Sequence, residues 1–181
     1  MTQRYKPNTT VACVIYSQGQ FLLVEEHIDG QVKFNQPAGH LEANESLINA
    51  CAREIAEETG LTIMPQALVG IYQFSANQDL AFVRYTFCIE LDTPIESIPQ
   101  DCAIVRTHWL SYSQITQRSA QLRSPLVLKS IDDFIAQAGL LDESPPATRD
   151  NRPPITAKRV SHHFPLSLLN ADYLHTDKSV G

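Results

Sequence analysis

The sequence predicts an α/β chain (α+β in the order of its parts) built as one mixed β-sheet with helices on both faces. Three observations carry this. Runs rich in β-branched and aromatic residues occur at 10–16, 20–25, 68–74, 81–91 and 104–110. An amphipathic helical stretch at 45–59 separates the second run from the third. A further helical stretch, 124–138, follows the last run. Strand and helix patterns that interleave in one chain bury their apolar faces by layering against each other.

Taken in order, the runs 10–16 and 20–25 flank Ser17-Gln18-Gly19 and read as a hairpin with glycine in the turn. Residues 26–33 are polar, with a second turn signal at Asp29-Gly30. Phe34 and Asn35 lead into Gln36-Pro37-Ala38-Gly39-His40, which reads as a tight, fixed loop because it holds both Pro and Gly. Glu45 and Ser46 start the helix, with acidic charge near the positive end of its dipole. Leu47, Cys51 and Ile55 recur at helical spacing, with Ile48 beside them, and Gly60 stops the helix. Beyond an extended piece at 61–63 and Pro65 come the strand 68–74, a turn at Asn77-Gln78-Asp79, and the long alternating run 81–91. On that run Val83, Tyr85, Phe87, Ile89 and Leu91 should face the core. The other side (Phe82, Arg84, Thr86, Cys88, Glu90) could line a pocket or face solvent. A Pro-punctuated loop, 93–100, precedes 104–110, which carries the single tryptophan. Ser111 is placed to cap a short helix through Gln117. Ser124 and Pro125 open the last helix, whose stripe is Leu126, Val127, Ile131, Phe134 and Ile135, and Gly139 ends it.

The 181 residues suit one domain at 1–140, followed by a Pro-rich linker and extension at 141–181 whose late leucines could dock onto the domain. Net charge is −6, with a pI near 5.4 and no basic run, so composition does not suggest a partner of nucleic acid. Cys13, Cys51, Cys88 and Cys102 form no Cys-x-x-Cys pair and read as free thiols in a reducing compartment. No leader-like or membrane-spanning run is visible, so a soluble cytoplasmic protein is expected. His162-His163 lacks a third ligand at suitable spacing and is not read as a metal site.

The chemistry concentrates between Gly39 and Leu61. Glu54, Glu57 and Glu58 lie three and four residues apart and so share one helix face. Like charges at that spacing weaken a helix by roughly 0.2–0.5 kcal/mol per pair. A helix that collects a hard divalent cation uses this arrangement, since Mg²⁺ and Mn²⁺ prefer carboxylate oxygens. Arg53 could hold Glu45 or Glu57 in position. The preceding loop could aim the carbonyl of Ala38 at the same ion.

Read as fixed positions, the stretch is Gly39, five free residues, Glu45, seven free residues, then Arg53-Glu54-Ile55-Ala56-Glu57-Glu58-Thr59-Gly60-Leu61. This resembles the Nudix box of the Nudix hydrolases, with every fixed position filled. The resemblance implies the Nudix α/β/α sandwich and Mg²⁺- or Mn²⁺-dependent hydrolysis of an organic pyrophosphate. It implies Glu54, Glu57 and Glu58 as metal ligands with Ala38, and Glu54 as a further ligand or the general base. Arg53 would orient a glutamate, and Glu45 and Gly39 would complete the motif. Glu90, Glu96 and Asp101 are candidate bases outside the box. The runs Asn35 through Glu42, Thr10 through Val14, Arg84, and Leu122 through Leu126 look like the NudJ-type branch. That likeness implies phosphatase action on thiamine pyrophosphate, hydroxymethylpyrimidine pyrophosphate and nucleoside tri- and diphosphates. Substrate contacts would come from Gln36, His40, Arg84 and Arg123, with Tyr72, Phe74 or Trp109 available to stack a ring. A nucleotide-sugar, dinucleotide or RNA 5′-end pyrophosphohydrolase, or a non-catalytic nucleotide sensor, are the competing expectations. A monomer or homodimer is expected.

Overall fold

The computed structural model describes residues 6–75 and 80–140, together with Leu166 and Leu169. Among the described residues seven strands run β1 (Asn8–Ser17), β2 (Gln20–Ile28), β3 (Gln31–Asn35), β4 (Ala38–His40), β5 (Ala67–Ser75), β6 (Ala81–Glu90) and β7 (Ile104–Ser111). Helix α1 (Leu47–Thr59) lies between β4 and β5, and α2 (Tyr112–Gln117) and α3 (Pro125–Ala138) follow β7, joined by a 3-10 turn at Ser119–Gln121. The strands form one sheet in the order β3-β2-β1-β6-β5, with β4 added to β1 and β7 to β2. It is mixed because β1 and β6 pair in parallel while every other pairing is antiparallel.

Both early hairpins turn on two residues at positive φ: Gln18 and Gly19 at 47° and 84°, Asp29 and Gly30 at 51° and 73°. That pair of left-handed residues matches the right-handed strand twist. Between the two hairpins the sheet forks. β1 meets β2 only at Tyr16↔Phe21 and Ser17↔Gln20, whereas β4 takes Thr10, Val11 and Ala12 at the other end of β1. The opening of this fork is where the chemistry of the chain gathers.

Strand alternation divides the interior into two cores. Val14 and Tyr16 of β1 join Phe21, Cys88, Leu110, Val127, Ile131 and Phe134 under α2 and α3. Val11, Cys13 and Ile15 point the other way, to Ala50, Cys51 and Ile55 of α1, with Phe87 and Ile89. Leu166 and Leu169 pack against this second core.

Several expectations are corrected. Ala38–His40 is a strand and not a loop, and β2 and β3 extend through the stretch read as polar connection, meeting from Val24↔Asn35 to Ile28↔Gln31. From Thr86 to Ile89 both sides of β6 are buried, since Cys88 enters the first core as Phe87 and Ile89 enter the second, while Phe82 through Tyr85 are half-buried. Leu126 is half-buried and Ser130 takes its place on the buried stripe of α3. Ser124 occupies the cap position, but its hydroxyl makes no capping bond; Pro125 and Gly139 stand where expected. Ser111 does cap α2, with Gln114 returning the bond to complete a capping box. Cys13, Cys51 and Cys88 are buried free thiols and Cys102 is exposed. No described helix is long and apolar enough to cross a membrane. The turn expected at Asn77-Gln78-Asp79, the linker, and His162-His163 lie outside the described residues.

Phe134 is the keystone of the first core, 1% exposed and with its ring 5.4 Å from Tyr16 and 6.0 Å from Phe21. Phe134→Ala should lower the unfolding free energy by about 3–5 kcal/mol in denaturant melts. A loss below about 1 kcal/mol would mean that α3 is not anchored there.

Candidate active site

Helix α1 is held at both ends. Ser46 accepts the N–H of Asn49 at the N-terminus. At the other end Gly60 takes φ 74°, donates to Ala56, and lies so close to the carbonyl of Ile98 that no side chain would fit. The N–H groups of Gln100 and Asp101 both donate to the carbonyl of Glu57, at 2.8 Å each. The loop between β6 and β7 therefore fastens the acidic end of the helix.

Arg53 organises the carboxylates. Its Nε and Nη2 donate to the two oxygens of Glu45 at 3.1 and 2.8 Å, a bidentate pair. Nη1 donates to Glu54 at 2.7 Å and to Glu57 at 3.1 Å, and Nη2 also reaches the carbonyl of His40 at 2.9 Å. Glu45 does not serve the helix dipole as expected, because the first turn of α1 holds no acid. It lies before the cap, where it takes Arg53 and the N–H of Glu42 at 2.7 Å.

The short strand β4 presents its outer edge to the same helix. Leu41 donates to Thr9 and Cys13 to Pro37 across the β1–β4 ladder. These bonds leave Ala38 and His40 in the non-bonded register, with their main-chain groups turned away from β1. The N–H of Ala38 donates to Glu58 Oε2 at 2.9 Å, and the Ala38 carbonyl shares that edge. Gly39 is needed here for space and not for a turn conformation: a Cβ at this position would collide with the Glu54 carboxylate, and its φ is not positive.

The electrostatics mark an excess of buried negative charge. Burial, then Glu54, Glu26 and Asp101, push the Glu58 carboxyl up to about 8, against the lowering effect of the Ala38 N–H. Burial also raises Glu54, and Arg53 only partly offsets it. Glu26 on β2 is raised by burial in the same way, while Arg123 and Arg84 pull it down. The hydrogen bond from Arg53 holds Glu45 below the usual carboxylate range. Burial lowers Arg84, whose charged neighbours are Glu58, Arg123 and Glu26.

The expected residues are thus largely brought together. Glu54 and Glu58 face β4, Glu57 is drawn to Arg53 beside them, Arg84 and Arg123 approach the group through Glu58 and Glu26, and Asp101 comes with the loop over α1. Glu90 is not at this site: it lies opposite Tyr16 at the far end of β6, bonded to Gln66 through its main chain. Glu96 is exposed in the loop. The ring of His40 is exposed, 6.4 Å from Phe82, and its carbonyl serves Arg53. The Tyr72 hydroxyl donates to Asp133 and the Trp109 indole to Ile95, so both are tied into the frame; Phe74 is half-buried.

Sequence reasoning missed Glu26. Its Oε2 is buried without a hydrogen bond, with Arg123 Nε 3.6 Å away. The bulge that shifts the β2–β7 register between Glu25 and Glu26 was not visible in the local pattern. Arg84 Nε and Nη1, Thr10 Oγ1, Thr86 Oγ1, Gln36 Oε1 and Ser124 Oγ are also buried and unpartnered among the described residues. Each such group costs roughly 1–3 kcal/mol, so a cluster of them calls for an explanation.

Among the described residues, no three acidic, His or Cys side chains yet stand close enough to enclose a cation. The donors nonetheless fit a hard divalent ion: three carboxylates and the Ala38 carbonyl, all oxygen. Burial first, and then the neighbouring carboxylates, make the charged form of Glu58 costly, and a cation placed among these oxygens would relieve that cost.

This has a measurable consequence. The folded protein holds the Glu58 proton more tightly than the unfolded chain, whose carboxyl has the ordinary value of 4.5. The resulting stability is complete below 4.5 and drains away as pH rises through about 8. Metal-free protein should therefore lose stability across that window, and Glu58→Gln should show a flatter curve. Parallel curves for the two proteins would contradict the burial of this carboxyl.

The family model described as the NUDIX domain matches residues 6–129. Phosphatase NudJ of Escherichia coli (strain K12) is 47% identical over 127 residues, covering 70% of this chain and 82% of that protein; the Shigella flexneri relative gives the same figures. Among solved structures, a NUDIX hydrolase from Nitrosomonas europaea superposes with a TM-score of 0.71 at 36% identity, over 92% of this chain and 97% of that one. The NUDIX domain of Shewanella oneidensis NrtR, solved with ADP ribose, shares the fold alone, at TM-score 0.64 and 16% identity over 76% of this chain and 91% of that one. A carboxylate helix steered by Arg53, on this fold and with these relatives, leads to one assignment: the chain belongs to the Nudix family and is a hydrolase of pyrophosphate bonds.

Proposed function

We propose that the protein releases phosphate from organic pyrophosphates in a reaction dependent on Mg²⁺ or Mn²⁺. Thiamine pyrophosphate, hydroxymethylpyrimidine pyrophosphate and nucleoside tri- and diphosphates are its substrates. The observation that carries this reading is the arrangement of α1: Arg53 draws Glu54 and Glu57 together, Glu58 takes the N–H of Ala38 on β4, and Arg84 is the charged neighbour of Glu58. The similarity to Phosphatase NudJ supports the choice of a phosphatase over other Nudix reactions.

Glu57, Glu58, Glu54 and the Ala38 carbonyl would hold the ion. Bound there, it would neutralise phosphoryl charge and make water more acidic. The chain's own residues do the remainder. Arg53 fixes the direction of Glu54 and Glu57 and is a positioning residue. Glu54, whose carboxyl burial lifts, accepts the proton of the attacking water. Arg84 and Arg123 offer donors to the phosphate oxygens, and Arg84 has two nitrogens with no other partner among the described residues. His40, at the exposed end of β4, flanks the phosphates. On this reading residues 1–140 form the catalytic domain, and Leu166 and Leu169 of the following extension pack against its second core. A cytoplasmic monomer or homodimer acting on small molecules fits the absence of a basic track in the sequence.

Glu57 is half-exposed, so its substitution should not disturb packing. Glu57→Gln should cut phosphate release by at least about 10²-fold, the scale of losing one group that stabilises developing charge, without moving the melting temperature. Unchanged turnover at saturating Mg²⁺ would remove Glu57 from the site. Inorganic phosphate should be the product with thiamine pyrophosphate and with nucleoside triphosphates. Cleavage confined to nucleotide sugars, yielding a nucleoside monophosphate, would contradict the phosphatase reading.

A further inference from the structure

Two successive glutamates of β2 are treated in opposite ways. Glu25 is fully engaged: Arg106 Nε donates to its Oε2 at 2.9 Å, and His108 Nε2 lies 2.7 Å from the same atom. Glu26 keeps its Oε2 buried with no hydrogen bond among the described residues. Lys33 stands directly opposite Glu26 on β3, in the place of a cross-strand ion-pair partner. Its ammonium goes elsewhere, to the Ala120 carbonyl at 3.4 Å. A buried carboxylate oxygen without a donor costs stability, and here the nearest lysine does not relieve it.

The cations that Glu26 does face are two arginines. Arg123 Nε is 3.6 Å from Glu26 Oε2, near enough for the charges to attract and too far for a hydrogen bond. Arg84 is the other charged neighbour that favours the ionised form of Glu26. Arg84 keeps Nε and Nη1 buried and unpartnered among the described residues. The main chain of Arg123 is fixed, since its N–H donates to the Phe34 carbonyl at 2.8 Å. The two guanidinium groups are close enough to repel each other. Glu58 also faces Arg84, but in the proposed reaction it is committed to the ion. Glu26 is then the carboxylate that faces both arginines.

We infer that Glu26 is a positioning residue for the hydrolytic reaction: its carboxylate holds the Arg84 and Arg123 guanidinium groups side by side, so that they meet the phosphate oxygens as a pair. The inference rests on the proposed function, in which these arginines receive the phosphates, and adds the group that lets two like charges share one place. Glu26 itself touches neither the substrate nor the ion. An arginine already held in its binding direction gives up less freedom when the ligand arrives.

The test is a double-mutant cycle on the full chain. Calorimetry with methylenediphosphonate, a non-hydrolysable pyrophosphate, in the presence of Mg²⁺ compares the unaltered protein with Glu26→Gln, Arg123→Gln and the two together. Gln keeps the shape of Glu, and Arg123 is half-exposed, so neither change should disturb folding. Each single substitution should raise Kd by about five- to tenfold. The double substitution should raise it no further than the larger single one, because both remove the same arrangement. Loss of a negative charge beside an anion site would by itself tighten binding, so the sign separates positioning from plain repulsion. A Kd for Glu26→Gln that falls or stays put would overturn the inference. So would effects that multiply in the double variant, or no binding by the unaltered protein. In turnover, Glu26→Gln should raise KM by a similar factor at nearly constant kcat. A kcat loss of about 10²-fold at constant KM would instead make Glu26 a base or an ion ligand, and would overturn it too. Absence of phosphate release from every pyrophosphate, with the binding pattern intact, would refute the catalytic reading and leave the pairing of the arginines standing.

Discussion

One guanidinium holds the site in its shape. Three glutamates and a main-chain carbonyl converge on Arg53, and each bond fixes a different element of the site. Glu45 ties in the approach to the helix, His40 ties in β4, and Glu54 and Glu57 are drawn to a common side of α1. Without that cation, neighbouring carboxylates on a half-buried helix face would repel and protonate. With it, two of them are steered while Glu58 is left to a single N–H, from Ala38. The division leaves charge unsatisfied in one place, beside Arg84.

The fork in the sheet explains why this can happen in a closed fold. β1 gives one end to β2 and the other to β4, so β4 presents an outer edge with main-chain groups directed at α1. A full-length β1–β2 pairing would have occupied that edge. The two faces then contribute differently. The α1 face brings the carboxylates, and the α3 face brings Gln36, Thr10 and Thr86. Arg84 stands on the α3 face and is coupled to Glu58, so the two faces meet beside the proposed metal centre.

Much of this was legible in the sequence because it is local. Ser46, Gly60, Ser111 and Gly139 end helices through conformational rules that a few residues specify. The spacing of Glu54, Glu57 and Glu58 fixes a shared helix face wherever the helix packs. What was not legible depends on partners distant in sequence. Ala38–His40 is a strand only because β1 lies beside it, and composition alone suggests a turn. Gly39 reads as a turn residue, yet its role is to leave room for a glutamate fifteen positions later. Glu26 looks like one more charge on a polar hairpin, and only the long-range pairing of β2 carries it towards Arg84 and Glu58. Ser124 sits at a cap position without making the cap, and its hydroxyl is buried with no hydrogen-bond partner among the described residues.

In the proposed function Glu54, Glu57 and Glu58, aligned by Arg53, bind a divalent cation beside β4. Anomalous diffraction from crystals soaked in Mn²⁺ tests it most directly. The account predicts a manganese peak bounded by the carboxylates of Glu54, Glu57 and Glu58 and the Ala38 carbonyl. A peak elsewhere, with those oxygens bound only to protein and water, would contradict it.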